Sequence, residues 1–294
     1  MIEEINLFRM FAAFFTGFFL HQTGFYSQSI SSNELSSPST FGIDGLILLN
    51  LILINLLSKF WQPIINISQS ALSSSLPFVM TILISILMAL LLRKGTKKFF
   101  DSKNIIFIGM AINLLVGAFL SACHFIFLAF NFNFPSELFF GHFKWVGATE
   151  VIVCFIFFIL NFIFRRKYLS YLILSNVDQN FVINRHEQQT SGQLIILIWI
   201  LILTSLIFSY FGAFVFLSLM LPHIVSKLPI LKNHFILQLE WGPWICGFLI
   251  LILDQICYYF PFFGMEIPTG MLTNMLASFL MILLLLNANK SIKA

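Results

Sequence analysis

Charged residues are scarce in this chain of 294 residues, where Asp, Glu, Lys and Arg together make up 10% of the sequence. Hydrophobic residues make up 59%, and the mean hydropathy is +0.94. A water-soluble domain of this length could not reach such values without a surface made of apolar side chains. The composition therefore excludes an ordinary soluble protein and indicates a polytopic membrane protein.

The motifs that carry most catalytic and metal chemistry are also missing. The sequence has no G-x-x-x-x-G-K-[ST] loop to hold the phosphates of ATP, no H-E-x-x-H and no paired carboxylates. The histidines are scattered over different segments, and the cysteines lie in or at the ends of apolar runs without C-x-x-C spacing. We therefore expect no catalytic residue, no metal site and no cofactor, and we interpret each cysteine as a small packing residue.

Long apolar runs recur along the chain, each near the length of about 20 residues that crosses a bilayer as a helix. The run 193–222 is too long for one untilted crossing, contains Gly212 and ends at Pro222. We therefore divide it into a helix up to Phe211 and a short return segment, 213–222. The sequence then predicts one all-α domain, 1–294, with nine transmembrane helices near 7–26, 42–58, 76–92, 105–130, 148–164, 193–211, 213–222, 236–260 and 267–286.

The distribution of Lys and Arg supports this division, because basic residues in short loops stay in the cytoplasm. Nine crossings leave only Arg9, Lys59 and Lys144 of the 16 basic residues outside. The sequence thus predicts an N-terminus outside and a C-terminus in the cytoplasm. Basic loops facing anionic lipid account for the net charge of +4, so we expect membrane lipid and no nucleic acid as a partner.

Small and polar residues concentrate near the start of the chain. Gly17 and Gly24 lie seven residues apart, hence on one helix face, where a neighbouring helix or a substrate could approach the backbone closely. Residues 27–40 are almost uncharged, rich in Ser and include Asn33 and Pro38. Such a loop between apolar helices is either a flexible connector or a constriction that closes a pathway, and the residues alone leave both interpretations open.

This region resembles the FecCD-type permease family, which imports iron-siderophores, haem and cobalamin with an ATP-binding cassette (ABC) partner. The family has an Arg, then G-x-x-L-x-x-x-G-x-x-x-Q, then N-P-L-A-x-P-x-x-x-G. The residues at the matching intervals are Gly17, Leu20, Gly24, Gln28, Asn33, Leu35, Pro38 and Gly42. Later matches are Gly212, Phe216, Leu219, Pro222, His223, Ile224, Asp254, Glu266, Ile267, Pro268, Gly270 and Thr273, with weaker ones at Gly109 and Gly141.

The resemblance implies a type II ABC importer permease-like bundle in the bacterial cytoplasmic (inner) membrane, which is not itself an enzyme. ATP hydrolysis is then expected in separate ATPase subunits. The other implied partners are a periplasmic or lipoprotein substrate-binding protein and a second permease copy, most simply in a homodimer. The implied roles are an inner gate at Asn33 and Leu35, a translocation path along Gly17, Gly24 and Gln28, receptor docking at Arg9, and ATPase coupling at Leu174, Ser175, Asn176, Val177 and Asp178.

The sequence also departs from the family pattern. By this resemblance we expect the first of the ten family helices to have no counterpart, and the coupling segment has lost its small residues and its acid. Of the docking arginines only Arg9 remains, with Asn6 and Tyr258 at the other two places. Two alternatives therefore stay open: a permease of another metal-ion ABC importer, and a degenerate membrane partner that does not transport. We interpret Asp254 as a helix-packing or interfacial carboxylate rather than a substrate ligand.

Overall fold

The computed structural model describes residues 2–31, 33–61, 102–131, 136–144, 146–177, 186–232, 234–261 and 266–291, together with residues 79, 82 and 83. All regular structure in this described part is helical, and it contains no strand. The α-helices are α1 (Ile2–Ser31), α2 (Ile43–Trp61), α3 (Ser102–Ala129), α4 (Ala148–Val177), α5 (His186–Phe211), α6 (Leu217–Lys227), α7 (Phe235–Tyr259) and α8 (Thr269–Ser291). A short 3-10 helix, Ser136–Phe139, lies between α3 and α4.

Four segments of these helices are long and apolar enough to cross a membrane. They are Ile108–Ala129, Ala148–Ile173, Gly192–Phe211 and Phe235–Tyr259, with a shorter apolar stretch at Ile43–Leu57. The multi-pass, all-helical fold class predicted from composition is thus confirmed. Most of the predicted span 76–92 falls outside the described residues, so the count of nine crossings and the sides of the termini stay predictions.

The predicted break after Phe211 is present. α5 ends at Phe211, and both Gly212 (φ 83°) and Phe216 (φ 63°) adopt left-handed backbone conformations before α6 begins. The peptide groups freed by this break bond to the segment after the 3-10 helix: Gly141 N donates to Ala213 O at 3.1 Å and His142 N to Phe211 O at 2.8 Å. The predicted bounds 213–222 are wrong, because α6 starts at Leu217 and continues past Pro222 to Lys227.

The first helix occupies the middle of the bundle. α1 packs most extensively against α7 and also contacts α4, α5 and α6. Its polar side chains are as buried as its apolar ones, and their hydroxyls bond within the helix: Thr16 Oγ1 donates to Ala12 O at 2.8 Å and Ser27 Oγ to Thr23 O at 2.7 Å. Because protein rather than lipid surrounds α1, it can carry polar residues that a lipid-facing helix could not.

Aromatic rings fill the contacts around α1. Phe18 lies with its ring centroid 4.8 Å from that of Phe158 on α4 and 5.7 Å from that of Trp244 on α7. Several of the abundant Phe residues therefore serve as packing residues between helices. All four cysteines are free and buried, which agrees with their interpretation as small core residues.

Candidate functional site

The two glycines of the first motif lie where other helices come closest to α1. A Cβ atom added to Gly17 would lie 2.3 Å from Cys246 O of α7, and one added to Gly24 would lie 1.6 Å from Ser218 O of α6. Pro222 has no N–H to bond Ser218 O within α6, so this carbonyl faces the bare Cα of Gly24. The sequence left open whether a neighbouring helix or a substrate approaches these glycines. The structure shows the backbone of a helix against each of them.

The weaker family matches in the middle of the chain form two further close approaches. A Cβ at Gly109 of α3 would lie 2.0 Å from Thr40 O, beside Gly42 with its positive φ of 77°. At the other site Gly270 N donates to Gly141 O at 2.6 Å, and a Cβ at Gly270 would lie 2.4 Å from Gly141 N. Motif residues far apart in sequence therefore meet in pairs, because only glycine lets these backbones approach so closely.

The loop between α1 and α2 is held by specific hydrogen bonds. Asn33 Oδ1 accepts a bond from Leu35 N at 2.9 Å, and Ser36 N donates to Asn33 O at 3.0 Å. Farther along, Asn113 of α3 donates from Nδ2 to Ser39 O at 2.8 Å. The loop is an ordered turn, and Leu35 stands at it with 39% of its surface exposed.

Two family motifs meet at the end of α1 that leads into this loop. Gln28 Nε2 lies 3.5 Å from His223 Nδ1 of α6, which is also 3.2 Å from Leu219 O. Asn33 N donates to Gln28 O at 3.3 Å, so the loop, α1 and α6 are linked through Gln28. The structure thus brings the predicted path residue Gln28 beside the predicted gate residue Asn33. Their roles as path and gate stay predictions.

Arg9 lies in a buried ion pair. Its Nε donates to Asp254 Oδ2 at 2.7 Å and its Nη2 to Asp254 Oδ1 at 2.9 Å, and the two side chains are 7% and 0% exposed. Thr269 Oγ1 donates to Asp254 Oδ1 at 2.5 Å, and the Arg9 guanidinium lies 4.7 Å from the ring centroid of Tyr258. Glu266 Oε2 lies 3.4 Å from Arg9 Nη1. Asp254 is therefore a helix-packing carboxylate, as expected, and docking by Arg9 stays a prediction.

Sequence reasoning missed the pairing of Arg9 with Asp254, although a signal was present. Each is a charged residue in a predicted apolar span, and such residues are costly there unless they pair with one another. Arg9 is the only Lys or Arg inside a predicted span, so its partner was to be sought among the acidic residues of the other spans, Asp44, Glu150, Glu240 and Asp254. The reasoning also missed Asp44 in the first turn of α2, which is buried and bonded to Ser39 Oγ.

The predicted coupling segment continues a long helix. Leu174 to Val177 form the end of α4, Asp178 lies outside the described residues, and α5 begins at His186. α4 has 30 residues, so it measures about 45 Å, well beyond the hydrocarbon thickness of about 30 Å. Arg165 on α4 donates from Nη1 to Leu239 O of α7 at 3.3 Å. The segment predicted to contact the ATPase thus lies at the end of a helix that is longer than the hydrocarbon layer is thick.

Comparison with known proteins identifies the fold and the family. A solved structure of a metal-chelate type ABC transporter, in an inward-facing conformation, matches with a TM-score of 0.76 at 20% sequence identity, covering 95% of this chain and 86% of that one. A search among curated proteins gives no match. The family model described as the FecCD transport family matches residues 1–287. The chain therefore belongs to the FecCD transport family.

Proposed function

We propose that this chain is the permease subunit of an ABC importer for a metal chelate, with an iron-siderophore as the first substrate to test and haem or cobalamin as the others. The observation that carries the proposal is the match of the FecCD transport family model to residues 1–287. The likeness to the fold of a metal-chelate type ABC transporter over 95% of the chain supports it. ATP hydrolysis belongs to separate ATPase subunits.

The α1–α2 loop is the inner gate in this proposal. Support comes from the bonded turn at Asn33, from the exposed position of Leu35 and from the contact of Gln28 with His223. A turn fixed by its own hydrogen bonds has a defined shape, so it can block a passage in one arrangement and clear it when a neighbouring helix shifts. α1 carries Gly17 and Gly24 along the path, where they set its distance from α7 and α6.

The end of α4, Leu174 to Val177, and the next residue in the sequence, Asp178, couple the permease to the ATPase. A rigid helix that projects past the bilayer transmits a push at its tip to the bundle, and α4 contacts α1 and α5. ATP binding then favours one arrangement of two permease copies, and its differential contact energy shifts the equilibrium between outward-open and inward-open forms. The permease makes no covalent chemistry in this cycle.

Substrate delivery requires a periplasmic or lipoprotein substrate-binding protein, called the receptor below. It docks at the end of the bundle where Arg9 lies, which the distribution of basic residues predicts to be the outer end. The setting is a bacterial inner membrane, and the pathway lies between this chain and a second permease copy. In this proposal Arg9 acts in docking as part of the polar cluster at that end, in which it is paired with Asp254.

Reconstitution tests the function. The full chain is placed in proteoliposomes with its ATPase and each candidate receptor, loaded in turn with ferric siderophore, haem or cobalamin. ATP-dependent uptake of one chelate, together with stimulation of ATP hydrolysis by its receptor, is the expected result. Uptake of free zinc or manganese instead would identify another metal-ion importer. Failure of every ATPase to bind the chain would indicate a membrane partner that does not transport.

A further inference from the structure

The ion pair of Arg9 belongs to a cluster that we name the Arg9 corner, formed by Arg9 of α1, Asp254 and Tyr258 of α7, and Glu266 and Thr269 at the start of α8. Arg9 is enclosed in it, since only 7% of its side chain is exposed and two of its nitrogens are bonded to Asp254. Glu266 is at the surface, since 38% of its side chain is exposed, and its Oε2 also accepts a long hydrogen bond from Arg9 Nη1 at 3.4 Å. The charge that this corner presents to a partner is therefore that of a carboxylate.

The sum of charges points the same way. One guanidinium and the carboxylates of Asp254 and Glu266 add up to −1, because Asp254 already neutralises Arg9 within the bundle. An approaching anionic group would meet like charge at this corner, whereas a cationic one would meet opposite charge.

Tyr258 helps to explain why the side chain of Arg9 lies inside the bundle. It stands where the family resemblance implies a third arginine, and its ring centroid lies 4.7 Å from the Arg9 guanidinium. An arginine there would repel Arg9, while the ring face attracts it. Tyr258 therefore removes one positive charge from the surface and helps to hold the remaining one against Asp254.

We propose that the Arg9 corner docks a receptor surface bearing Lys or Arg, with Glu266 as the contact, and not the acidic surface that docking arginines would select. This rests on the proposed function, because it assumes a receptor that binds at this end of the bundle. Charge complementarity favours a cationic receptor surface, because an exposed carboxylate beside a neutralised arginine pairs with a cation.

Cysteine labelling measures the local charge without any receptor. Ile267→Cys places a thiol next to Glu266 in the full chain in nanodiscs, and its reaction rates with cationic and anionic methanethiosulfonate reagents are compared with those of free cysteine. The expected rate ratio favours the cationic reagent, and adding Glu266→Gln lowers that ratio about twofold to fourfold at low ionic strength. Glu150→Gln removes a carboxylate from the first turn of α4, and as the matched control it should leave the ratio unchanged. A ratio that favours the anionic reagent would overturn the proposal.

Receptor binding provides the second measurement, with the receptor that stimulates ATP hydrolysis in the reconstituted complex. Glu266→Lys should weaken its binding at least tenfold, Glu266→Gln less, and high salt should reduce the difference. Equal or tighter binding to Glu266→Lys would refute the cationic partner while leaving the importer function intact. If no receptor stimulates hydrolysis or binds the wild-type chain, the proposed function itself fails, and docking at this corner fails with it.

Discussion

Gly24→Ala should destabilise the bundle more than its single added methyl group suggests. The new Cβ would lie 1.6 Å from Ser218 O, whereas carbon and carbonyl oxygen normally approach to about 3.3 Å. α1 and α6 would have to separate by about 1.7 Å to make room. Neither side of the contact can rotate away, because both belong to helix backbone.

The expected cost can be set against a matched glycine. Overpacking a core costs about 1–3 kcal/mol, and the upper value applies here because two backbones must move apart. Gly117 on α3 is also in an apolar helix, but a Cβ there would meet nothing within 4 Å. Gly117→Ala should therefore gain the helix propensity of alanine, about 0.8–1 kcal/mol. Gly24→Ala gains the same helix propensity, so the two variants should differ by about 3 kcal/mol, the cost of overpacking, although each makes the same chemical change.

Thermal unfolding of the purified full chain in nanodiscs measures the difference. At about 2 °C per kcal/mol, Gly24→Ala should lower Tm by about 4 °C, while Gly117→Ala should raise it by about 2 °C. If Gly24→Ala cannot be purified, the folded fraction in detergent extracts, measured by size-exclusion chromatography, gives the same ranking. Equal Tm values for both variants would show that α6 does not approach α1 as closely as described.

Three further predictions test other contacts. Arg9→Met should lower stability by about 3–5 kcal/mol because it leaves Asp254 buried and without its arginine. In thermal unfolding, the double variant Arg9→Met with Asp254→Leu should recover most of this loss. A double variant less stable than the single one would contradict this prediction. Asn33→Ala should reduce coupled uptake while Asn33→Asp, which keeps the acceptor for Leu35 N, should retain it; equal uptake by both would remove the turn from gating. Trp199→Phe leaves Asn161 Oδ1 without its 3.1 Å donor and should cost about 1–3 kcal/mol, unlike Trp199→Phe combined with Asn161→Leu.

The sequence by itself determined the fold class, the break after Phe211 and the family. Hydropathy predicts helices because a bilayer requires every backbone polar group to be bonded within its own segment, and four of the predicted spans recur as long apolar helices in the described part of the chain. The motif glycines were visible at their intervals, and the structure shows why their spacing matters, since Gly17, Gly24, Gly109 and Gly270 each meet another backbone. The start of α6 was misplaced because Gly212 and Pro222 mark where a helix can break, and not where the next helix begins.

Only the tertiary structure decided which residues meet across the bundle. Arg9 and Asp254 are separated by 245 positions, and no local pattern states that their two helices lie side by side with these residues at one level. The same holds for Gln28 with His223, and for the enclosure of polar α1 by α4, α5, α6 and α7. Local sequence governs which helices form, because their hydrogen bonds are local. Which residues pair with a buried charge or approach a glycine depends on the order and rotation of the helices. Packing fixes that order and rotation only when the whole bundle is assembled.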